Sequence, residues 1–532
     1  MKSLIKNIYN KEKNAPMKKT LIAILTFLVA GCSIIYELAF AHVLSIIYGN
    51  TIQTYAITIG IFLFSMGIGA LAVTKIKNNN EKITFFYVEV LISITALLFT
   101  LLSFHIASIE LLGNKTINYS FIAAIGILSG AELPLLGILY NKSAKGMVQV
   151  LSIDYFGSLS GTLIFAFVLL GNIGPLDSIL YTSITNLFIA FLFALVYHRK
   201  AVGLFLLTGL IGINIYAIYD DKLFKHIEKQ YYNNTTLKWY EKWVDNIPDS
   251  HFIEAHNKIK EIHHTKYQTY YITQGKIKTS KGTTEARCLW IGKGMQYCDQ
   301  TVHSYHEFLC KTPQKILGKP KNALIIGGGD LICAKYLLED KNIEEVILID
   351  LDKDFVKWAN KNIHYNEAVL KDKRLKVIYG DAYSEVLKLN KKFDLIIEDL
   401  PILETDALIH IYTVEFYRTL KNLLKTEGLY SGYVDKLKND SALKNILTCA
   451  GWDNGVWYPG INLNKFSNMA MFEEFILLGN IKKIKEKSEY YTVNYIQDTA
   501  KEIKGECNES EQTNSIFKPN YNLILKPNFK ND

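Results

Sequence analysis

The first 220 residues hold seven long stretches in which apolar side chains run almost without interruption: roughly Leu21–Ile46, Tyr55–Ile76, Phe85–Ala107, Ile117–Tyr140, Val148–Leu170, Leu176–Tyr197 and Val202–Tyr219. A hydrocarbon core is crossed by about 20 predominantly apolar residues in helical form, because backbone polar groups there must be satisfied within the segment. Seven such segments leave few polar faces for water, which excludes a set of buried soluble helices. The first is not a cleaved leader either, since it is long, holds Glu37 and is followed by further apolar segments. Residues 1–222 therefore read as an α-helical transmembrane bundle of about seven helices in the lipid bilayer, a multi-pass protein of the cell membrane.

Lys and Arg fall in alternate loops. Six Lys lie in the first nineteen residues, followed by Lys75, Lys77 and Lys82, then Lys142 and Lys145, then Arg199 and Lys200, with only Lys115 in the intervening loops. This places the N-terminus inside, and seven crossings would then leave the second half outside. Lys222, Lys225 and Lys229, just after the last apolar stretch, pull the other way. Four carboxylates, Glu37, Glu89, Glu132 and Asp154, fall within or near the ends of the apolar stretches, where ionisation is expensive without a partner. Interhelical hydrogen bonding or protonated glue is the plain reading of such groups, and a cation path or a polyamine site the functional one. Gly126 with Gly130, and Gly157 with Gly161, have the spacing that lets helix backbones approach closely.

Beyond residue 220 charge, Asn and Lys dominate, and the formal net charge of +8 is scattered rather than gathered in a basic block, which argues against a nucleic-acid partner. The seven Cys (Cys32, Cys288, Cys298, Cys310, Cys333, Cys449, Cys507) have neither metal-site spacing nor the pattern of a disulfide framework, and read as scattered thiols of a reducing compartment. Residues 223–310 carry short β-type runs, Tyr267–Thr273, Arg287–Ile291 and Met295–Cys298, predicting a small leading β-sheet. In residues 311–480 apolar strands alternate with helical stretches: Ala323–Gly327, Val346–Asp350, Leu375–Tyr379, Leu395–Asp399 and Gly428–Val434. That alternation predicts an α/β Rossmann-like domain of the S-adenosylmethionine-binding type, with a mostly parallel sheet and a ligand beyond the strands' carboxyl ends. Residues 481–532 read as a polar tail.

Three glycines, Gly327, Gly328 and Gly329, and Asp330 directly follow the first strand, where missing side chains let backbone amides come near a ligand. Asp350, twenty residues beyond Asp330, suits a ribose hydroxyl pair, and Gly380–Asp381–Ala382 suits an adenine amino group. A strand-end Asp that only caps the following helix is the plain alternative for each. No GxxxxGK[ST] loop is present, which disfavours a nucleoside triphosphate.

Read in order, Tyr267–Gln268, Gln296, Tyr305–His306–Glu307, Gly327–Asp330, Asp350–Leu351–Asp352, Asp381–Ala382, Asp399 and Ile411–Tyr417 (IYTVEFY) resemble the successive motifs of the spermidine synthases, from Tyr267 to about Val434. The segments Gly31–Leu38, Gly130–Pro134 and Asp154–Gly161 resemble the membrane domains fused to some bacterial members of that family. The resemblance implies an aminopropyltransferase that moves the aminopropyl group of decarboxylated S-adenosylmethionine, a co-substrate rather than a resident cofactor, to an amine acceptor such as putrescine or a related polyamine. Gln268, Gly327, Gly328, Gly329 and Asp330 would hold this donor, with Asp350 on its ribose and Asp381 and Ala382 at its adenine. Gln296, Tyr305, His306 and Tyr412 would line the acceptor's channel, Asp399 would be the base, and no metal is implied. A donor of this kind is made in the cytosol, so the expected side for the second half is cytoplasmic despite the loop charges. Association into a homo-oligomer stays open.

Departures from the family pattern mark the donor and acceptor sites. Leu331 stands where the family's GGGDG motif ends in glycine, and Asp350 stands where a Glu is usual. The segment from Asp399 to Leu403 reads DLPIL and lacks the family's second Asp; Glu404 and Asp406 are the next carboxylates along the chain. Two other readings use the same motifs: an S-adenosylmethionine methyltransferase, and a catalytically degenerate sensor of polyamine or nucleoside coupled to a membrane transporter.

Overall fold

The structure, a computed structural model, describes residues 15–48, 52–77, 80–108, 114–141, 143–197, 212, 221–237, 258–279, 282–292, 294–299, 305–366, 368–401, 408–433, 440–452, 454–462, 472–480, 484, 501–502 and 507. The chain divides into two compact units, Met1–Thr235 and Thr236–Asp532.

Six helices of the first unit are long and apolar enough to cross a membrane. They are α1 (Ala15–Tyr48), α2 (Ile52–Val73), α3 (Glu81–Ser108), α4 (Asn114–Tyr140), α5 (Ala144–Ile164, continued by a π-helical turn to Asn172) and α6 (Pro175–Tyr197). The seventh apolar stretch, Val202–Tyr219, lies outside the described residues apart from Gly212. Small residues set the packing, as their spacing predicts. A Cβ on Gly157 would come within 2.3 Å of the Phe27 carbonyl oxygen and one on Gly130 within 2.0 Å of that of Met66, so α1 with α5 and α2 with α4 meet backbone to backbone. Antiparallel α3 and α6 meet along Phe85 with Phe193, Glu89 with Asn186, and Ser93 with Ser183. A short amphipathic helix, α7 (Asp221–Tyr232), follows. Its Tyr231 is buried, donates from its hydroxyl to the Ile47 carbonyl at the end of α1 (2.9 Å) and packs edge-on against Phe104 near the end of α3.

The second unit opens on a four-stranded antiparallel sheet, β1 (Lys258–His264), β2 (Thr269–Thr279), β3 (Gly282–Ile291) and β4 (Gly294–Cys298). Strand β1 lies upstream of the three β-type runs read from the sequence; its HH and KIK pattern carries little apolar alternation. An eight-stranded sheet follows in the order β12-β10-β11-β9-β8-β5-β6-β7. Its strands are β5 (Asn322–Gly327), β6 (Glu345–Asp350), β7 (Leu375–Tyr379), β8 (Phe393–Asp399), β9 (Leu424–Tyr433), β10 (Gly455–Asn462), β11 (Phe472–Leu478) and β12 (Lys501–Glu502). Strands β5 to β9 pair in parallel, as the alternation predicts. Strands β10 to β12 join antiparallel, so the sheet is mixed rather than mostly parallel. Helices α8 (Thr312–Leu317), α9 (Ile332–Leu338), α10 (Lys353–Asn362), α11 (Ala382–Val386), α12 (Val414–Leu423) and α13 (Asp440–Cys449) complete the unit. The central strands bury Ile325, Leu348 and Ile397 on one face and Leu324, Ile349 and Ile396 on the other, each with its own core.

The cysteine reading is corrected. Cys288 is bonded to Cys298, Cys310 to Cys333, and Cys449 to Cys507, leaving Cys32 the one free cysteine among the described residues. Cys288 and Cys298 are direct partners across β3 and β4, a relation that strand register creates and spacing does not display. The bonds close loops of 10, 23 and 58 residues, and a bond of this kind typically stabilises by roughly 2–4 kcal/mol. Cys507 and β12 also tie part of the segment read as a polar tail to the sheet.

Candidate active site

Strand β5 is the centre of the parallel part of the sheet, with β6 and β7 on one side and β8 and β9 on the other. Where successive connections leave a central strand in opposite directions, a crevice opens beyond the carboxyl ends. The acidic residues singled out from the sequence fall at this crevice: Asp330 follows β5, Asp350 ends β6, Asp381 follows β7 and Asp399 ends β8.

The turn after β5 needs its glycines. Gly327 and Gly328 have φ of 77° and 67°, and a Cβ on Gly327 would lie 2.3 Å from the Asp399 carbonyl oxygen, so glycine is what lets β5 and β8 end side by side. A Cβ on Gly329 would lie 2.5 Å from Asp350 Oδ2, so that glycine makes room for the carboxylate. Leu331 has φ 67°, the left-handed conformation that a glycine adopts freely, and its side chain is fully buried in the core. Where the family has glycine for its backbone, this chain accepts a left-handed leucine, at about 1–2 kcal/mol, and gains a buried apolar group.

Asp330, Asp399, His306 and Tyr305 come together. His306 Nε2 lies 3.2 Å from Asp330 Oδ2 and 3.9 Å from Asp399 Oδ2, and the Tyr305 hydroxyl donates to Asp399 Oδ1 (3.1 Å). The His306 side chain is 2% exposed while those of Asp330 and Asp399 are 13% and 11%, so the imidazole backs the two carboxylates and these face the opening. Asp330 is further fixed by the Ile332 amide donating to its Oδ1 and by Asn366, whose side-chain amide donates to the Asp330 carbonyl. Among the described residues, His306, Asp330 and Asp399 are also the group whose donor atoms lie close enough, within 4.8 Å, to share a metal ion. The same set of acceptors suits a sulfonium or an ammonium.

Asp350 accepts from the Asp352 amide (2.7 Å) and from the Gly329 amide. Burial pushes its carboxyl up to about 7, with the neighbouring charges of Asp352 and Asp330 adding to the rise. Asp352 caps α10 and receives Gln268 Nε2 (3.0 Å) and the Thr265 hydroxyl (2.5 Å). Gln268 thus stands on the Asp350 side of the crevice, joined to it through Asp352. Asp381 caps α11 through Ser384 and accepts from His410 Nε2 at 2.7 Å. Burial works to raise its carboxyl, but the hydrogen bonds from His410 and Ser384 outweigh it and hold the group below its ordinary value. Ala382 begins α11, mostly buried.

The other two residues expected at an acceptor channel bond to backbone carbonyls. Tyr412 is fully buried, and its hydroxyl donates to the Pro401 carbonyl (3.1 Å), so it tethers the segment leaving Asp399 rather than presenting a face to a ligand. Gln296 donates to the Gly294 carbonyl of its own strand (3.3 Å). Residues 402–407, with Glu404 and Asp406, lie outside the described residues. Sequence reasoning missed Thr265, Asn366 and His410 as partners of the site's acids. Asp352 carried a signal, since an Asp three residues before Phe355 at a strand-to-helix turn is a capping pattern, whereas His410 carried none.

A glycine turn, a strand-two acid and a carboxylate–imidazole–tyrosine group thus meet at one crevice of a Rossmann-like α/β domain. Residues 302–441 match the model of the spermine/spermidine synthase domain. The chain is 31% identical over 412 residues to the polyamine aminopropyltransferase of Oceanobacillus iheyensis, covering 75% of each chain, and 28% identical to polyamine aminopropyltransferase 2 of Aquifex aeolicus, covering 77% of this chain and 78% of that one. A solved spermidine synthase in complex with the transition-state analogue AdoDATO is 20% identical, covers 44% of this chain and 79% of that one, and aligns with a TM-score of 0.37. The chain belongs to the polyamine aminopropyltransferase family, and it is an enzyme of the spermidine synthase-like kind.

Proposed function

We propose that this enzyme transfers the aminopropyl group of decarboxylated S-adenosylmethionine to an amine such as putrescine or a related polyamine, releasing methylthioadenosine, while its N-terminal helices anchor it in the cell membrane. Asp350 takes the ribose hydroxyls, Asp381 and Ala382 the adenine, and the Gly327–Asp330 turn the sulfonium. Gln268 steadies Asp352 beside the ribose. The acceptor nitrogen attacks the aminopropyl carbon bound to sulfur; the new C–N bond forms as the C–S bond breaks, and its electron pair returns to sulfur, leaving a neutral thioether. The amine is protonated at neutral pH and must lose a proton to attack, and Asp399 accepts it. Tyr305 and His306 orient Asp399 and Asp330, and Tyr412 orients the segment that follows. The observation that carries this reading is the approach of His306, Asp330, Asp399 and Tyr305 at the ends of β5 and β8. Alignment of two bound reactants and removal of one proton are all that such a reaction asks of a protein, because the leaving group is already cationic. Purified full-length enzyme is incubated with putrescine and either decarboxylated or intact S-adenosylmethionine. Methylthioadenosine release from the first alone supports the proposal; methyl transfer from the second, or binding without turnover, replaces it with the methyltransferase or the sensor.

A second role is favoured for the first unit by an unusual set of acceptors. Asn186 Nδ2 donates to Glu89 Oε2 (2.6 Å), the Glu132 carboxyl lies beside Glu89, and all three residues are buried. Glu89 Oε1, Glu132 Oε1 and Asn186 Oδ1 have no hydrogen-bond partner among the described residues. An ammonium group has three N–H donors and no acceptor, and so matches them. Amine uptake or efflux measured in cells carrying Glu132→Gln at normal membrane abundance tests this: unchanged accumulation removes the role.

A further inference from the structure

We infer that the aminopropyltransferase domain lies on the side of the membrane away from the N-terminus, outside the cytoplasm, with its cysteines oxidised. Three observations meet in that placement. The first is the geometry of the helical unit. Helices α1, α3 and α5 start, and α2, α4 and α6 end, at one end of the bundle; the antiparallel contact of α3 with α6, Phe85 against Phe193, fixes the last of these. Lys18, Lys19, Lys75, Lys77, Lys82 and Lys145 of the described residues belong to this end, as do the other Lys of the N-terminus, Lys142, Arg199 and Lys200 by sequence. At the opposite end stand Lys115 and, on α7, Lys222, Lys225 and Lys229, fewer than at the first. A bias of that size marks the lysine-rich end as cytoplasmic.

The second observation is where the chain reappears. Helix α6 finishes at the lysine-rich end, yet α7 is docked at the other, with Tyr231 bonded to the last turn of α1 and packed edge-on against Phe104 near the end of α3. The chain therefore changes sides between Tyr197 and Asp221, the interval that holds the apolar stretch Val202–Tyr219. After Leu237 it does not change back. Residues 238–257 carry Lys238, Glu241, Lys242, Asp245, Asp249 and Glu254, too much charge for a crossing.

The third observation is independent of the membrane. All six cysteines of the second unit are paired in three disulfides, whereas Cys32, in α1, is free. Structural disulfides persist in oxidising compartments and are rare where glutathione and thioredoxin keep thiols reduced. Each bond forms when two thiols give up two protons and two electrons to a disulfide-bearing oxidase, which is reduced to its dithiol. The cytoplasmic side expected from the donor's origin is thereby replaced. One consequence concerns supply. A sulfonium carries a permanent charge and does not cross a bilayer unaided, so the donor for this site has to arrive by carrier-mediated transport after the decarboxylation that makes it.

The test uses the full chain in its membrane, in two arms. Alkaline phosphatase or a green fluorescent protein is fused after Asp532; active phosphatase with a dark fluorescent fusion is expected, and the reverse overturns the inference. In the unfused protein, denatured in alkylating reagent and read by mass spectrometry, one cysteine is labelled without reductant and all seven after reduction. Labelling of all seven before reduction overturns it regardless of the fusions. Neither arm depends on turnover, so a negative result here leaves the proposed reaction standing.

Discussion

Lowering the pH from 8 to 6 should weaken the binding of methylthioadenosine about tenfold, and Asp350 should be the reason. Its carboxyl is pushed from 3.8 up to about 7 by burial in the crevice, reinforced by the charges of Asp352 and Asp330. A carboxylate that accepts two ribose hydroxyls has to be ionised to do so, since the protonated acid is itself a donor. With a midpoint of about 7 the empty site is about nine-tenths ionised at pH 8 and about one-tenth at pH 6, and that ratio sets the tenfold loss. The bound nucleoside stabilises the anion, so binding near pH 6.5 should release a proton, seen calorimetrically as a heat that changes between buffers of different ionisation enthalpy. Stability of the empty protein runs the opposite way: a raised acid contributes fully below the unfolded value of about 4, and that contribution is lost as pH rises through about 7. Ligand should therefore protect against unfolding most at alkaline pH. Asp350→Asn should bind about tenfold or more weakly at pH 8 and show no proton release. An affinity that stays flat between pH 6 and 8 in the native protein, or a pH slope that survives in Asp350→Asn, would refute the assignment of the ribose to this residue.

Asp399→Asn should abolish turnover while leaving methylthioadenosine affinity within about twofold, because the amide keeps the shape and the Tyr305 bond but cannot take a proton; near-native turnover would remove Asp399 from the mechanism. Putrescine should show a high Michaelis constant if Asp399 is its one carboxylate anchor, since a lost charge-assisted hydrogen bond of roughly 1.5–3 kcal/mol weakens a hold ten- to a hundredfold; tight use of putrescine would assign the second anchor to Glu404 or Asp406. Leu331→Gly should relieve the left-handed backbone yet lower stability by about 1–4 kcal/mol, the cost of emptying a buried leucine site less the relieved strain, as read by chemical denaturation of detergent-purified enzyme. Glu89→Ala should destabilise the helical unit more than Glu89→Gln, because only the amide keeps an acceptor for Asn186 Nδ2; equal thermal midpoints in detergent would count against the buried bond.

The parts of this molecule that were legible in the sequence are those where a local pattern and the tertiary arrangement agree. The middle of β8, Leu395–Ile397, is uninterrupted apolar because both faces of the central sheet are covered, and the strand stops at Asp399 where the crevice begins. The glycines after β5 were legible as a position where backbone must come close, and Gly327 and Gly328 there have positive φ. Strand β7, with alternate residues partly exposed at the sheet edge, still reads as a strand because Val377 and Ile378 face the two cores. The partners of the acids were not legible, since Asn366 and Asp330 lie 36 positions apart, and His410 and Asp381 29, and each pair meets only in the folded chain. The burial of Tyr412 was likewise not legible in IYTVEFY: it stands just before Thr413, the cap of α12, and its ring lies in the core.

Cysteine is the case where the sequence misled most, and the reason is physical. A disulfide requires Cα atoms within about 7 Å, a condition on strand register and helix docking that says nothing about spacing along the chain. Cys288 and Cys298 satisfy it because β3 and β4 place them opposite each other. Cys310 and Cys333 do so because the segment after Tyr305 packs on α9, and Cys449 and Cys507 because part of the distal chain returns to the sheet beside α13. Three separate folding events thus bring together all six cysteines of one unit and none of the other. The first unit holds the single Cys32, with no second thiol to meet, whereas in the second every thiol has found a partner. Full pairing fits an oxidising surrounding, the placement inferred above from the side change between α6 and α7.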